Sequence, residues 1–198
     1  MIPLSTYNTL YFAIFSVPLN MCVGILIAVM MNQKIRGIRI LRTIYYLPNV
    51  VSIVAVSMLW YFIFQCNGVL NMLLGAVGIQ GPNWLSDPAW AKNALILMNC
   101  WNAGGSMVIY LAGLQGIPRS YYEAAEVDGA GALRKFFSIT LPLLSPSIFY
   151  NLIIGIIGAL QTFSTALVMT DGGPVNSTTF YVLTLYRRAF EDMRMGYA

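Results

Sequence analysis

The stretch Asn8–Met31 reads NTLYFAIFSVPLNMCVGILIAVMM and contains no Asp, Glu, Lys or Arg. As an α-helix that rises about 1.5 Å per residue, it is longer than the roughly 30 Å hydrocarbon core of a bilayer. Three further runs share this length and lack of charge, at about 43–65, 94–114 and 143–168. We therefore predict an all-α protein, a polytopic transmembrane helix bundle with four spans in a single membrane domain over residues 1–198.

The composition supports a membrane bundle and excludes several classes of function. Charged residues make up 9% of the chain, whereas an ordinary soluble domain has about 25%. The net charge of +4 is small, and most of the basic residues flank the uncharged runs, which indicates membrane orientation and not nucleic-acid binding. The chain has no histidine, and its three cysteines lack zinc-site spacing. We predict no metal site, no catalytic residue and no enzymatic activity.

The basic residues also predict which loops face the cytoplasm. They concentrate after the first and third uncharged runs, and cytoplasmic loops carry the excess of Lys and Arg. The two loops hold Lys34, Arg36, Arg39 and Arg42, and Arg119, Arg134 and Lys135, whereas Lys92, Arg187, Arg188 and Arg194 lie on the other side. We therefore expect residues 33–42 and 115–142 in the cytoplasm and both termini outside the cell.

The second cytoplasmic loop, residues 115–142, carries the most specific pattern in the chain. Ser120 and Glu123 have the spacing of a capping box that opens a short helix over about 121–128. Gly129 is suited to the left-handed conformation that ends such a helix. A second short helix follows, and Pro142 is placed to open the fourth span.

The spacing of seven residues in this loop matches a known motif. From average residue frequencies, seven specified positions match by chance about 10⁻⁸ times per starting position. A solvated loop with ordinary helix caps accounts for Gly129 but not for the distant end of the pattern. The motif consists of Glu123, Ala124, Ala125, Gly129, Ile139, Leu141 and Pro142. It resembles the EAA loop of permease subunits in binding-protein-dependent ABC importers.

Further stretches resemble the carbohydrate branch of that family, close to the maltose-transporter permease. They are Asn8-Thr9-Leu10, Asp128-Gly129-Ala130-Gly131 and Thr170-Asp171-Gly172-Gly173-Pro174. The resemblance implies a six-span permease core in a bacterial or archaeal inner membrane, and the four runs here look like its second to fifth spans. We therefore expect the chain to be truncated at both ends.

The resemblance also implies partners and a mechanism. ATPase subunits would push on a cytoplasmic EAA coupling helix, and a second permease subunit and an extracytoplasmic solute-binding protein would complete the importer. The chain itself has no Gly-x-x-x-x-Gly-Lys-[Ser/Thr] phosphate loop. ATP and Mg²⁺ are therefore expected on the partner ATPase, and no cofactor is expected on this chain.

Polar side chains within the uncharged runs are candidates for the substrate pathway, because such groups face the bundle interior or a wet cavity. Amides and hydroxyls suit a neutral sugar or polyol, since they donate and accept hydrogen bonds without a buried charge. Alignment with the family's spans selects Asn49, Ser52, Asn99, Asn102, Gln161 and Thr162. The alternative is that these side chains only join helix to helix.

Three functions remain open on this reading. The first is an importer permease for a neutral carbohydrate, with a polyol or a glycerol phosphate also possible. The second is an ion-coupled secondary carrier, although such carriers usually hold ionisable groups within the membrane. The third is a non-transporting membrane scaffold, which has no need of the EAA spacing.

Overall fold

One long helix organises the bundle. The computed structural model describes residues 2–33 and 37–198, and the regular elements within these ranges are all helical. Helix α1, Ile2–Met31, is 30 residues long and is apolar enough to cross a bilayer alone. It packs against α5 (Pro88–Trp101), α6 (Gly104–Gln115), α10 (Ser145–Leu160) and α12 (Tyr181–Tyr186). The predicted all-α bundle is confirmed.

The other long apolar segments are helix pairs joined at a bend. Helix α2, Ile38–Tyr46, passes through a 3₁₀ turn at Leu47–Asn49 and meets α3, Ile53–Ile63, at 96°. Helices α5 and α6 meet at 45°, and the helical segment Ala132–Leu143 meets α10 at 66°. Counting each bent pair as one span, the described residues contain up to four spans.

The three predicted spans after the first differ from the structure in their shape. The run 94–114 is not one straight helix, because α5 ends at Trp101 and α6 follows it at an angle of 45°. The run 43–65 is not one helix, because Pro48 provides no backbone N–H and the chain turns at Val50–Ser52. The run 143–168 does not stay helical to its end, because α10 stops at Leu160. A separate helix, α11 (Ser164–Met169), follows and packs against α3.

Small residues bring α1, α6 and α10 close together. In a membrane, close approach of helices depends on side chains that leave room for the neighbouring helix. A Cβ added at Gly24 of α1 would lie 2.7 Å from Ser106 Oγ, one at Gly113 of α6 would lie 2.7 Å from Ser147 Oγ, and one at Gly155 of α10 would lie 3.1 Å from Val17 Cγ1. The three helices therefore form a closely packed triangle.

Short helices complete the chain at both ends of this triangle. Helix α4, Val69–Ala76, lies between α3 and α5. Helix α7 (Arg119–Val127), helix α8 (Ala132–Lys135), a π-helical turn at Phe136–Thr140 and α9 (Leu141–Leu143) connect α6 to α10. A further π-helical turn follows α12. The buried apolar side chains form two clusters, one around Phe12, Phe64 and Phe180 and the other around Met107, Tyr110 and Leu144.

Candidate functional site

A cavity of about 580 Å³ lies where α1, α5, α6 and α10 face one another. Of the six predicted pathway residues, Asn49, Asn99, Asn102, Gln161 and Thr162 line it. Ser52 does not, because it lies exposed at the bend that precedes α3. The structure therefore brings together polar residues from three separate predicted spans.

The hydrogen bonds separate these polar residues into two groups. The Asn20 amide donates to the Asn99 carbonyl at 2.7 Å, and Asn151 donates to Ser147 within its own helix at 2.8 Å. The Thr162 hydroxyl donates to the Gly158 carbonyl at 3.2 Å. These groups are satisfied by the protein itself, which fits the helix-packing alternative.

The second group has side-chain amides that are not used within the bundle. Among the described residues, none donates to or accepts from the side chains of Asn49, Asn99, Asn102 or Gln161. Asn99 and Asn102 are partly buried, and Asn49 and Gln161 are exposed, so all four amides are open to water or to a ligand. These four side chains are therefore the strongest candidates for contact with a polar substrate.

Breaks in the helices place several of these amides at the cavity. Asn49 ends the 3₁₀ turn after α2, Asn102 follows the last residue of α5, and Gln161 follows the last residue of α10. Non-helical backbone at membrane depth is tolerated where it is covered by protein or lines a wet cavity.

At the cavity wall, Asn49 packs against two glycines at the start of α6. A Cβ at Gly104 would collide with the backbone carbonyl of Tyr45 and would lie 2.8 Å from Asn49 Nδ2. A Cβ at Gly105 would lie 3.0 Å from Asn49 Oδ1. The absence of side chains at these two positions is what allows the Asn49 turn to pack against the start of α6.

The cavity lining carries no charged side chain among the residues that the structure describes there. Its polar groups are amides and hydroxyls, and its aromatic groups include Tyr150 and Phe163. Trp101, the last residue of α5, packs edge-on against Trp60 outside the lining. Ser106 lines the cavity but was not predicted, although it follows Asn102 at the helical spacing of four residues.

The coupling loop forms a short exposed helix whose beginning differs from the prediction. Helix α7 begins at Arg119, preceded by Pro118, and no side-chain hydrogen bond caps it. The predicted capping box is wrong, because Ser120 and Glu123 lie inside the helix and not at its boundary. Pro118 has the extended ψ of 136°, so the helix begins directly after it at Arg119, one residue before the expected cap Ser120.

The end of α7 agrees with the prediction. Gly129 has φ +73°, which confirms the left-handed conformation. Its N–H donates to the Glu126 carbonyl at 3.0 Å, and the Ala130 N–H donates to the Ala125 carbonyl at 2.9 Å. This pair of bonds is the Schellman arrangement, which satisfies the last carbonyls of a helix.

The remaining motif residues lie on the helical segment that follows. Ile139 and Leu141 are partly buried, whereas Glu123 and Ala124 on α7 are exposed. Pro142 does not open the fourth span, because the helical segment Ala132–Leu143 runs through it and α10 begins after a bend at Leu144. The π-helical turn just before Pro142 accommodates the missing N–H, since the Leu141 N–H bonds five residues back, to Phe136.

The opposite end of the bundle holds an ordered loop, residues 170–179. The Thr178 hydroxyl donates to the Gly173 carbonyl at 2.7 Å, and the Thr179 hydroxyl donates to the Gly172 carbonyl at 3.0 Å. Thr9 Oγ1 of α1 accepts from the Tyr181 N–H at 2.9 Å just beyond the loop. The stretch Asn8-Thr9-Leu10 therefore contacts the end of the loop that begins with Thr170–Pro174.

Comparison with known proteins matches nearly the whole chain. A family described as "binding-protein-dependent transport system inner membrane component" matches residues 20–192. The probable ABC transporter permease protein YesP of Bacillus subtilis (strain 168) is 45% identical over 194 residues, which cover 96% of this chain and 63% of YesP. The lactose transport system permease protein LacF of Rhizobium radiobacter is 40% identical over 94% of this chain and 64% of LacF.

A solved structure also matches. The crystal structure of a bacterial alginate ABC transporter in complex with alginate pentasaccharide-bound periplasmic protein contains a chain that aligns with a TM-score of 0.83 at 30% identity. The alignment covers 96% of this chain and 68% of that one. The present chain spans less than two thirds of the length of the two curated relatives.

Proposed function

Because this chain belongs to the family of binding-protein-dependent transport system inner membrane components, we propose that it serves as a permease subunit of an ATP-driven importer for an uncharged carbohydrate. One observation carries the proposal. Amides without a partner in the bundle face an uncharged cavity, at the ends of helices that α1 holds together. Such groups bind hydroxyl-rich molecules by donating and accepting hydrogen bonds.

The uncharged lining supports a neutral substrate over an anionic one. A phosphate or carboxylate group is usually held by the full charge of Arg or Lys. The first turn of α6, where Gly105 and Ser106 line the cavity, supplies only the partial charge of a helix N-terminus. A related transporter of known structure imports the acidic polysaccharide alginate, but the described lining of this cavity has no Arg or Lys. A sugar or neutral polyol therefore fits the cavity of this chain better than a glycerol phosphate does.

The proposed mechanism is alternating access driven from the cytoplasmic side. ATPase subunits dock on α7, whose residues Glu123 and Ala124 are exposed and whose Val127 is 90% exposed. A second permease subunit completes the cavity, and a solute-binding protein delivers the sugar from outside. In the orientation that the basic loops predict, α7 faces the cytoplasm of a bacterium or archaeon. Both ends of the described chain then lie on the outer side of the membrane.

Reconstitution in lipid vesicles tests the proposal. The assembled transporter should take up a labelled neutral sugar only when ATP and the binding protein are present, after ionophores have removed proton and sodium gradients. Excess unlabelled neutral sugar should block this uptake, and glycerol phosphate should not. Uptake that follows an ion gradient without ATP would favour a secondary carrier, and assembly without any uptake would favour a scaffold.

A further inference from the structure

Two side-chain contacts join α7 to the helical segment that leads to the cavity. The hydroxyls of Tyr122 and Thr140 lie 2.9 Å apart. One turn further along α7, Glu126 Oε1 accepts from Lys135 Nζ at 2.8 Å. Tyr122 and Glu126 are four residues apart, so they lie on one face of the helix. The exposed residues Glu123 and Val127 are each displaced by one position and turn toward a neighbouring face.

The two contacts differ in how well they are shielded from water. The Glu126 side chain is 63% exposed, and exposed ion pairs contribute little because water and salt screen them. Thr140 is 6% exposed, and its hydroxyl also lies 3.4 Å from the Lys135 carbonyl, to which it donates. Tyr122 can therefore donate to Thr140, which donates onward to Lys135. Of the two contacts, the hydroxyl pair is the better shielded.

Thr140 stands at a mechanically important point of the chain. It is the last residue of the π-helical turn Phe136–Thr140. Helix α9 follows, and the chain then bends by 66° into α10. Insertions of this kind are frequent at functional sites. Helix α10 carries Asn151 and Gly155 in the cavity wall and ends beside Gln161. A single bend therefore separates Thr140 from the helix that forms part of the cavity wall.

We propose that Tyr122 is a positioning residue that transmits movement of α7 to the cavity. Its hydrogen bond with Thr140 makes α7 and the segment Ala132–Leu143 move as one body, and the bend at Leu144 converts that movement into a displacement of α10. The inference rests on the proposed function, because it presupposes an ATPase that acts on α7. It adds that the tie between the two helical segments, and not only the docking surface, determines coupling.

The test measures sugar imported and ATP hydrolysed by the assembled transporter in the same vesicles. Tyr122→Phe removes the hydroxyl and keeps the ring. The sugar imported per ATP hydrolysed should fall about two- to tenfold, as expected for the loss of one hydrogen bond. ATP hydrolysis stimulated by the binding protein should persist, and the ATPase should remain attached. Tyr197→Phe, at an exposed position outside α7, is the matched control.

Substitutions at Thr140 make the test independent of Tyr122. Thr140→Val has nearly the same shape but no hydroxyl and should lower the ratio as Tyr122→Phe does, whereas Thr140→Ser should restore it. The double variant should be no worse than either single one, because both remove the same bond. An unchanged ratio in Tyr122→Phe and Thr140→Val would overturn the inference. So would a parallel loss of ATPase attachment, since that indicates a role in docking.

These outcomes are separate from failure of the proposed function. A wild-type transporter that imports no sugar with ATP would contradict the proposed function and this inference together. A wild-type transporter that imports sugar, with variants that keep its full ratio, would contradict the inference alone.

Discussion

The side-chain amide of Asn8 donates to the backbone carbonyl of Asn176 at 2.9 Å across 168 positions of sequence. The same amide donates to the Thr179 carbonyl at 3.2 Å, and its oxygen accepts from Lys92 Nζ at 3.3 Å. Lys92 also lies over the Tyr11 ring, 4.7 Å from its centroid. Asn8 is 1% exposed, so one buried side chain joins the start of α1 to the loop that precedes α12.

Replacement of this amide should loosen the loop. Asn8→Leu keeps the volume but leaves the carbonyls of Asn176 and Thr179 without their donor, which costs about 1–3 kcal/mol. Amide hydrogen exchange over residues 171–179, measured in detergent micelles, should therefore accelerate. Asn67→Leu, at an exposed position, is the control. Unchanged exchange in Asn8→Leu would show that the loop is held by its own threonine hydroxyl bonds.

Addition of a methyl group at Gly104 should destabilise the bundle. The added Cβ meets the Tyr45 backbone carbonyl, which cannot rotate away, so Gly104→Ala should cost about 1–3 kcal/mol. Thermal unfolding in detergent should then begin at a lower temperature. Gly75→Ala on α4 meets no atom within 4 Å and serves as the control, with an expected gain of about 0.5–1 kcal/mol. Equal melting temperatures for the two variants would contradict the close contact.

Loss of the unpaired amides should weaken substrate binding without affecting assembly. Asn102→Ala and Gln161→Ala each remove a group that would bond a sugar hydroxyl, and a lost bond to a buried partner costs about 1–3 kcal/mol, or roughly ten- to hundredfold in affinity. Uptake in vesicles at low sugar concentration measures the effect. Gln65→Ala, exposed beyond α3, is the control. Normal uptake by both cavity variants would support the helix-packing role.

A β-branched residue at Gly129 should impair coupling through the backbone alone. The left-handed φ of +73° disfavours valine by about 1–2 kcal/mol, although no neighbouring atom lies within 4 Å of the added Cβ. We expect stimulated ATP hydrolysis and uptake to fall together in Gly129→Val, and the ATPase to wash off more readily.

The chain supplies its own matched control for this change. Gly131 is also exposed and has open space around it, but its φ is −68°, which valine adopts freely. Gly131→Val should therefore retain uptake and ATPase attachment. Equal behaviour of the two variants would show that the conformation of Gly129 does not matter for coupling.

Thiol labelling should report the orientation of the chain. Cys66 is exposed just beyond α3 and should react with a membrane-impermeant reagent added outside the cell. Ala132→Cys, in a chain with Cys66→Ser, should react only when the reagent reaches the cytoplasmic side. Gly37 also lies in a loop predicted to be cytoplasmic, but it is less suitable for the test because its φ of +86° would strain a cysteine. The reverse pattern of labelling would invert the proposed topology.

Much of this protein was determined by local features of the sequence. Asn8–Met31 has no charge over a length that crosses a bilayer, so a helix is the structure that satisfies its backbone there. The spacing from Glu123 to Pro142 identified the family, because this motif can be recognised along the sequence without knowledge of distant contacts. Gly129 ended α7 as predicted, since a left-handed residue without a side chain is a local requirement.

Only the tertiary structure decided which polar groups reach the cavity. Asn20 and Asn102 look alike in sequence, but they differ in their hydrogen bonds. The Asn20 amide donates to a carbonyl of α5, whereas none of the described residues forms a hydrogen bond with the Asn102 side chain. The bend that removes Ser52 from the cavity is stabilised by the packing of Asn49 on Gly104, which comes from a different part of the chain. Whether an amide is paired, and where a helix bends, depends on neighbours distant in sequence, which periodicity and composition do not encode.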